Sequence, residues 1–279
     1  MAAPILALPS DVDLARFRDE VWAFGRAHRR EMPWRYTDDP YAVLVSEVML
    51  QQTQVPRVLG RFEAWMDAFP TVDALAAAPL AAVLGCWQGL GYNRRAMALK
   101  RSAEQVVERF GGRMPCDVEE LRTLPGIGPA TAAAILDYAY RTPTPFIETN
   151  VRAVYLHHFF ADADDVPDSA LAPIVAATWD ADDPRGWGYA LMDYGSWLKR
   201  AFPNPSRRSR HHTRQSPFEG SRRQKRARLL RAVMADPGMD AAEYAEDVGL
   251  EAGVAAEVLE ELAREGFLRR DAETWSVAG

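Results

Sequence analysis

Cysteine is scarce in this sequence, because only Cys86 and Cys116 carry thiols among its 279 residues. Two cysteines are too few for a disulfide framework or for a metal site with four thiolate ligands. No apolar run approaches the roughly eighteen residues that a membrane-spanning helix needs. Residues 1–17 have no basic segment and only a short apolar stretch, so no signal peptide is predicted. We therefore expect a cytoplasmic protein without a membrane partner.

Alternating apolar and polar residues, the pattern of β-strands, form no series in the first 200 residues. This lack excludes a dinucleotide-binding α/β fold and a β-sandwich. Apolar residues instead recur at helical spacing, which predicts an all-α fold. The predicted helices cover residues 12–28, 40–53, 58–68, 80–87, 94–110, 129–140, 150–160 and 187–200.

A polar, basic and proline-containing segment at 203–221 interrupts this pattern. Three short helices are predicted beyond it, at 222–235, 241–248 and 253–265, followed by a hairpin at 266–277 that turns at Asp271 and Ala272. Three helices and a hairpin in this order favour a winged-helix-like domain. The alternative is a helical bundle with a frayed tail.

Charge is unevenly distributed along the chain. The whole sequence has 33 Lys and Arg against 39 Asp and Glu, yet residues 199–231 hold twelve basic side chains and one acidic side chain, Glu219. A basic segment on an acidic body can bind a polyanion, since salt screening confines electric fields to roughly 8 Å. A solvated basic linker is the alternative.

The segment Leu124-Pro-Gly-Ile-Gly-Pro-Ala-Thr-Ala132 contains two closely spaced glycines. Gly126 permits a tight turn between helices, and Gly128 opens a helix whose free N–H groups can bind a phosphate. Such a hairpin can clamp a DNA backbone without reading its sequence. A plain helix–turn–helix connection is the alternative.

Two carboxylates stand in informative surroundings. Glu47 lies among the apolar residues 44–49, where a carboxyl group has a raised pKa and can hold a proton near neutral pH. Glu148 follows an apolar, strand-like run and precedes a helix, for which Asn150 is a candidate cap. Each carboxylate, taken alone, is better explained by a structural role than by a catalytic one.

The segments SEVMLQQTQV, GLGYNRRA, LPGIGPATAAAI and NVRAV occur here in an order that resembles the MutY-type adenine glycosylase branch of the helix-hairpin-helix DNA glycosylases. MPWR before them and MDYGSW after them extend the resemblance over residues 10 to 200. The resemblance implies a two-lobed all-α body with DNA and the active site in the cleft between lobes. The implied partner is double-stranded DNA with a lesion or mismatch, bound by a monomer.

The resemblance implies a role for each matched residue. Glu47 matches the acid that protonates N7 of the departing adenine, and Glu148 matches the carboxylate, normally Asp, that stabilises the oxocarbenium sugar. Asn150 matches a polar catalytic neighbour. The other matched residues are Trp34 and Arg35 at the base pocket, Gln52 and Tyr92 as duplex wedges, and Gly126, Gly128, Ala130 and Thr131 in the DNA-backbone hairpin.

The departures from the family pattern are equally informative. Ala130 stands where lyase-competent relatives carry a catalytic Lys, so we expect a monofunctional glycosylase. The four cluster cysteines of the family are replaced near Lys199, Ser206, Ser209 and Gln215, which predicts that the iron–sulfur cofactor is absent. Arg207, Arg208 and Arg210 are then expected to meet phosphates directly. His211 and His212 are interpreted as part of the basic surface, with a metal site as the alternative.

The sequence therefore predicts a monofunctional base-excision glycosylase that removes adenine mispaired with 8-oxoguanine or guanine. A glycosylase for another mismatched or damaged base and a catalytically silent DNA-binding protein are the alternatives. The expected domains are a glycosylase domain at 1–205, a basic linker at 206–221 and a winged-helix-like domain at 222–279. Within the first, one lobe is expected at about 38–148 and the other at 1–37 plus 149–205. A bacterial-type, nucleoid-associated location is expected.

Overall fold

A computed structural model of the chain describes residues 8–213 and 217–279. These residues are mainly helical and end in a small hairpin, which confirms the predicted all-α class with a small C-terminal domain. The helices are α1 (Asp11–Ala27), α2 (Pro40–Leu50), α3 (Val55–Val58), α4 (Arg61–Ala68), α5 (Val72–Ala77), α6 (Leu80–Trp87), α7 (Arg94–Phe110), α8 (Val118–Arg122), α9 (Pro129–Tyr138), α10 (Thr149–Phe159), α11 (Asp168–Thr178), α12 (Pro184–Ala201), α13 (Arg222–Ala235), α14 (Ala241–Val248) and α15 (Ala252–Arg264). The strands are β1 (Leu268–Asp271) and β2 (Thr274–Val277), and two short 3-10 helices are Pro33–Tyr36 and Pro205–Arg208.

Two compact units divide the chain. Unit 1 comprises Met1–Glu47, Pro115–Thr123 and Ile127–Arg214, and unit 2 comprises Val48–Met114, Leu124–Gly126 and Gln215–Gly279. These two units are defined only by how densely their residues pack, so they do not test the domain limits inferred from the sequence. Those limits stay predictions. Among the described residues, the structure contains no helix with the length and apolar character to cross a membrane.

The core of unit 1 is the packing of α1 and α10 against α12. Phe17 of α1 lies with its ring centroid 5.0 Å from that of Tyr155 on α10 and 6.2 Å from that of Trp187 on α12. Gly195 lets α12 approach the first turn of α10, because a methyl group there would overlap the main chain of Asn150. The glycine of the MDYGSW segment therefore sets the distance between these helices.

Helices α5 and α6 pack on α7 in unit 2, with Leu75, Val83 and Val106 fully buried.

The predicted helix at 58–68 is wrong as a single element, because Gly60 adopts a left-handed φ of 75° and separates α3 from α4. The predicted extension of α2 to residue 53 is also wrong, since the helix ends at Leu50 before Gln52 turns with a φ of 53°. The pattern missed α5, α8 and α11, which are short or alanine-rich.

The C-terminal segment of unit 2 folds as three helices and an antiparallel hairpin. Leu268 pairs with Val277 and Asp271 pairs with Thr274, so the two-residue turn is Ala272 and Glu273. The predicted turn was therefore wrong by one residue, and Ala272 takes the positive φ of 54° that the tight connection needs. The paired strands exclude the alternative of a helical bundle with a frayed tail.

This segment is bound to α7. Arg94 forms a bidentate ion pair with Glu265, with Nε–Oε2 and Nη2–Oε1 distances of 2.9 and 2.6 Å. Arg101 donates a hydrogen bond to the main-chain carbonyl of Glu265. The end of α15 is thus fixed at two points of one helix surface, although exposed ion pairs of this kind contribute at most about 1 kcal/mol each.

Candidate active site

Glu47 is a partly buried carboxylate near the end of α2. Its neighbours along the helix are apolar and buried, with Val45 and Met49 fully inaccessible to solvent. Burial is the main reason that its pKa is raised to about 8, and the charge of Glu148 raises it further while Arg35 opposes the shift. Glu47 therefore holds a proton at neutral pH.

Glu148 is the N-cap residue of α10. Its Oε1 accepts hydrogen bonds from the main-chain N–H groups of Asn150 and Val151, the latter at 2.8 Å. Burial raises the pKa of Glu148 above its usual value, although these two N–H bonds and the charges of Lys199 and Arg152 oppose the shift. The sequence interpretation of Asn150 as the cap is wrong, because the longer Glu148 side chain reaches back over the first turn and takes that position.

Asn150 completes the local group. Its Nδ2 donates to Glu148 Oε2 at 3.2 Å and lies 3.4 Å from the sulfur of Met192. The structure therefore brings together the three residues that the sequence placed in catalytic roles. Burial raises the pKa of both carboxyl groups, and Glu148 also accepts main-chain N–H bonds that favour its anion. Two such groups that influence each other can hold one proton between them.

Arg35 belongs to a buried ion-pair cluster. Its Nη1 and Nη2 bind both oxygens of Asp193 at 2.8 and 2.9 Å, and its guanidinium lies 4.4 Å from the ring centroid of Tyr189. Burial raises the pKa of Asp193, but Arg35 and Arg30 more than compensate and hold it below its usual range. Arg35 lines a cavity of about 350 Å³, whose wall includes neither Glu47 nor the buried Trp34.

Sequence reasoning missed two residues that support Glu148. Asp137 is completely buried in α9 and accepts hydrogen bonds from the indole N–H of Trp179 at 3.0 Å and the main-chain N–H of Thr144 at 3.2 Å. It thereby holds the loop that leads to Glu148, while burial raises its own pKa to about 7. Lys199 was assigned only to a former cluster position, yet its charge lowers the pKa of Glu148.

Gln52 and Tyr92, the predicted wedge residues, both lie in unit 2. Both side chains are exposed, and both residues adopt a left-handed φ, of 53° and 50°. Non-glycine residues in this region carry strain, and such strain is concentrated at functional positions. The conformation of both residues is therefore maintained by their surroundings.

Arg95 supports the two chain segments that carry Gln52 and Tyr92. Its Nη1 donates to the main-chain carbonyls of Val48 and Met49 at 2.8 and 3.1 Å and also to that of Gln51. Its Nη2 donates to Leu90 O, Gly91 O and Thr53 Oγ1 at 3.0 to 3.3 Å. One guanidinium thus joins the chain around Gln52 to the chain before Tyr92. Periodicity could not predict this, because four of the six acceptors lie 42 to 47 residues away along the chain.

The glycine hairpin has the predicted local form. Gly126 has a φ of 78°, and a Cβ atom there would lie 2.8 Å from Ala98 Cβ. Gly128 is the N-cap of α9 and is exposed, with Pro129 in the first turn. Ala130 borders an apolar cavity together with Phe146 and Ile147, and Thr131 is partly exposed. Exposed N–H groups at this helix start are suited to a phosphate.

Several side chains of the segment that follows α12 bind other groups of the protein. Ser206 is buried and donates from Oγ to the carbonyl of Thr149 at 3.3 Å. Arg208 donates from Nη1 to the carbonyls of Phe160 and Ala161 at 2.8 and 2.6 Å. Arg210 pairs with Asp165 at 2.8 Å, while Arg207 is exposed. Of the three arginines predicted to meet phosphates, Arg208 is therefore committed to the fold.

The donor set does not fit the four-thiolate cluster of the resembled family. Lys199, Ser206 and Ser209 present an amine and two hydroxyl groups, and Gln215 lies outside the described residues. The side-chain Oγ of Ser209 accepts the main-chain N–H of His211 at 3.0 Å. Across 8–213 and 217–279, no group of three or more His, Cys, Asp and Glu side chains is placed to hold a metal ion.

Comparison with known proteins agrees with this geometry. The family model described as "HhH-GPD superfamily base excision DNA repair protein" matches residues 45–172. An adenine DNA glycosylase of Mycolicibacterium smegmatis is 40% identical over 170 residues, which cover 60% of this chain and 58% of that relative. An adenine DNA glycosylase of Mycobacterium tuberculosis is 36% identical over 239 residues, covering 76% of each chain. The solved structure of a thermostable thymine-DNA glycosylase superposes with a TM-score of 0.60 at 23% identity, over 67% of this chain and 87% of that one.

Proposed function

The chain belongs to the helix-hairpin-helix superfamily of base-excision DNA repair glycosylases, and on that premise we propose that it releases adenine mispaired with 8-oxoguanine or guanine. The observation that carries the proposal is the raised pKa of Glu47, about 8, beside a second carboxylate that caps a helix. The adenine preference is supported by the two relatives that are named adenine DNA glycosylases.

In the proposed reaction, protonated Glu47 transfers its proton to N7 of the extruded adenine. The bond between the sugar C1′ and N9 then breaks, and its electron pair leaves with the base. Glu148 remains ionised and stabilises the positive charge that develops on the sugar. Water adds to C1′ and loses a proton, which leaves an abasic site and free adenine. Asn150 orients Glu148 through its side-chain N–H.

The proposed enzyme makes no covalent link to DNA. Ala130 offers no amine where lyase-competent relatives carry Lys, so a Schiff base cannot form at this position. Neither the acid nor the anion requires a metal, and no step of the proposed reaction involves an iron–sulfur cluster. Strand breakage should therefore appear only after an abasic site is treated with alkali.

A panel of duplexes tests this proposal. Each contains one candidate base, namely adenine opposite 8-oxoguanine, adenine opposite guanine, thymine or uracil opposite guanine, or an alkylated purine, and is treated with hot alkali after incubation. We expect release of adenine by the parent and a loss of about 10²–10⁴-fold for Glu47→Gln, the usual contribution of a positioned acid. Release of thymine or uracil alone would establish the alternative substrate class. No release from any duplex would leave a DNA-binding protein.

A further inference from the structure

Five side chains of unit 2 form a continuous alternation of aromatic rings and guanidinium groups, which we call the arginine–aromatic column. Arg95 lies 5.4 Å from the ring centroid of Trp87 and 5.3 Å from that of Tyr92. Arg223 lies 5.7 Å from the ring centroid of Tyr92 and 6.0 Å from that of Phe218. The column begins at a fully buried ring, Trp87, and ends at Phe218, which is 54% exposed.

The exposed end of this column is held in place. Arg223 donates from Nη1 to the hydroxyl oxygen of Tyr92 at 2.7 Å and from Nη2 to the carbonyl of Pro217. The turn after Phe218 is closed by the hydroxyl of Ser221, which donates to the Phe218 carbonyl at 2.6 Å, and by Gly220 N–H, which donates to Gln224 Oε1 at 2.8 Å. Phe218 is thus an aromatic residue on a hydrogen-bonded turn at the start of α13.

A held, solvent-exposed ring next to a cation is suited to a nucleobase. Every base has a π-face, and stacking of a base on an aromatic side chain contributes about 1–3 kcal/mol. When a nucleotide leaves the helix, the base opposite loses its hydrogen-bonding partner but keeps that face. Arg223 adds a positive charge beside the ring, which favours a polyanionic partner.

We propose that Phe218 stacks on the base left unpaired when the target base is extruded. Arg223, which lies between the rings of Tyr92 and Phe218, positions the Phe218 ring. This inference rests on the proposed function and assigns to the C-terminal segment a role in recognising the opposite base. It places a specificity-determining residue outside the residues 45–172 that the family model matches. Arg223 acts through Tyr92 and Phe218 and is a positioning residue.

Binding of two duplexes tests the inference in the Glu47→Gln background, which removes turnover. One duplex carries adenine opposite 8-oxoguanine, and the other carries adenine opposite a tetrahydrofuran abasic analogue of the same sequence. We expect Phe218→Ala to weaken binding of the first duplex about 5- to 140-fold, which is the stacking energy of about 1–3 kcal/mol converted at 1.4 kcal/mol per tenfold. Binding of the second should change less than twofold, because it has no base to stack.

Three further variants test whether the loss of affinity is specific to the Phe218 ring. Phe218→Trp should retain the parent affinity for both duplexes, because a larger ring can still stack. Phe202→Ala, which removes another exposed ring from the chain, should change neither affinity. Arg223→Gln should reproduce part of the Phe218→Ala loss on the first duplex only. An equal loss on both duplexes, or no loss on either, would overturn the inference.

The outcome is distinguishable from failure of the proposed function. Base release by the parent on the duplex panel tests the enzyme, whereas the ratio between the two duplexes tests Phe218 by binding alone. If the parent releases adenine but Phe218→Ala leaves the ratio of the two duplex affinities unchanged, the proposed function stands and this inference fails. A thermal unfolding curve for Phe218→Ala that matches the parent shows that the variant is folded.

Discussion

At the scale of single residues, Glu47 and Glu148 differ in what surrounds each carboxyl group. Glu47 is flanked by buried apolar side chains of α2, whereas Glu148 accepts two main-chain N–H bonds and lies within the influence of Lys199. Hydrogen bonds to an anion favour ionisation, and burial without them opposes it. The pKa of both groups is raised, but the partners of Glu148 make it the better candidate of the two for the anionic role in the proposed reaction.

The pH dependence of base release should follow the protonation of Glu47. Since its pKa is raised to about 8, the single-turnover rate should fall about tenfold per pH unit above that value. Rates measured from pH 6 to 10 with the best substrate test this. The residual rate of Glu47→Gln should lack this decline, and a parent rate that stays constant to pH 10 would contradict the role of acid.

Stability should depend on the same proton. Between pH 4.5 and about 8 the folded state holds a proton that the unfolded chain has released, so the free energy of unfolding decreases as pH rises through this window. The slope reaches at most about 1.4 kcal/mol per pH unit. Denaturant unfolding of the parent and of Glu47→Gln at pH 5, 6.5 and 8 measures it, and the variant should gain stability relative to the parent as pH rises.

Glu148→Asp should retain base release, because it restores the shorter carboxylate of the resembled family and Asp is a favoured N-cap residue. Glu148→Ala should abolish release and lower the free energy of unfolding by about 1 kcal/mol, the usual contribution of a cap. Single-turnover rates and denaturant unfolding of both variants separate the two effects. An inactive Glu148→Asp protein of unchanged stability would show that the longer side chain is required.

Motifs in the sequence singled out the residues with proposed chemical roles, but not the residues that support them. Glu47, Glu148, Gln52 and Tyr92 stand in short segments of recognisable composition, so they could be assigned from the sequence. Arg95 was not singled out, because five of its six acceptors at 48–53 and 90–91 are main-chain carbonyls, which have no sequence signature. Supporting residues act through the folded backbone, and only the structure reveals them.

At the scale of elements, helix periodicity predicted the long helices and failed where the chain turns. The bounds of α6, α7 and α13 were predicted to the residue, since a glycine or proline follows each helix within two residues. The end of α2 was placed three residues too late. Arg95 binds the carbonyls of Val48 and Met49 in the last turn of this helix, and helix periodicity carries no signal for such bonds.

The basic segment after α12 should contribute to DNA affinity through Arg207. Its side chain is exposed, and Arg207→Gln should weaken binding to all sequences and reduce the slope of log affinity against log salt by about 0.9. Binding of an undamaged duplex between about 50 and 200 mM salt measures this. Arg16→Gln, an exposed arginine on α1, is the matched control and should leave the slope unchanged. Equal slopes for parent and Arg207→Gln would mean that this arginine is solvated.

At the scale of the whole molecule, the C-terminal segment groups with the helices of 48–114 and supports their loops. Arg94 and Arg101 bind the end of α15, and Arg223 binds Tyr92. The sequence predicted the order of three helices and a hairpin, since each element has its own local pattern. It could not predict this attachment, because ion pairs between distant segments leave no periodic signal.

The purified protein should be colourless and free of iron and labile sulfide. Two cysteines cannot supply four thiolates, and Ser206 and Ser209 already take part in internal hydrogen bonds. Metal analysis and the absorbance near about 400 nm, where such clusters absorb, test this. Incubation with iron and sulfide should change neither the spectrum nor the rate of base release. Stoichiometric iron in the purified protein would contradict the prediction.

The electrostatic coupling of Glu47 with Glu148 has a consequence for reading any variant of either residue. Because the charge of Glu148 raises the pKa of Glu47, the two groups titrate as a pair whose macroscopic steps belong to neither alone. Glu148→Gln removes that repulsion, so besides lowering the rate it makes Glu47 a stronger acid and moves the pH-dependent decline of the residual rate to lower pH. The losses caused by single substitutions will consequently be nonadditive, and a double-mutant cycle measured at several pH values is the appropriate description of this pair.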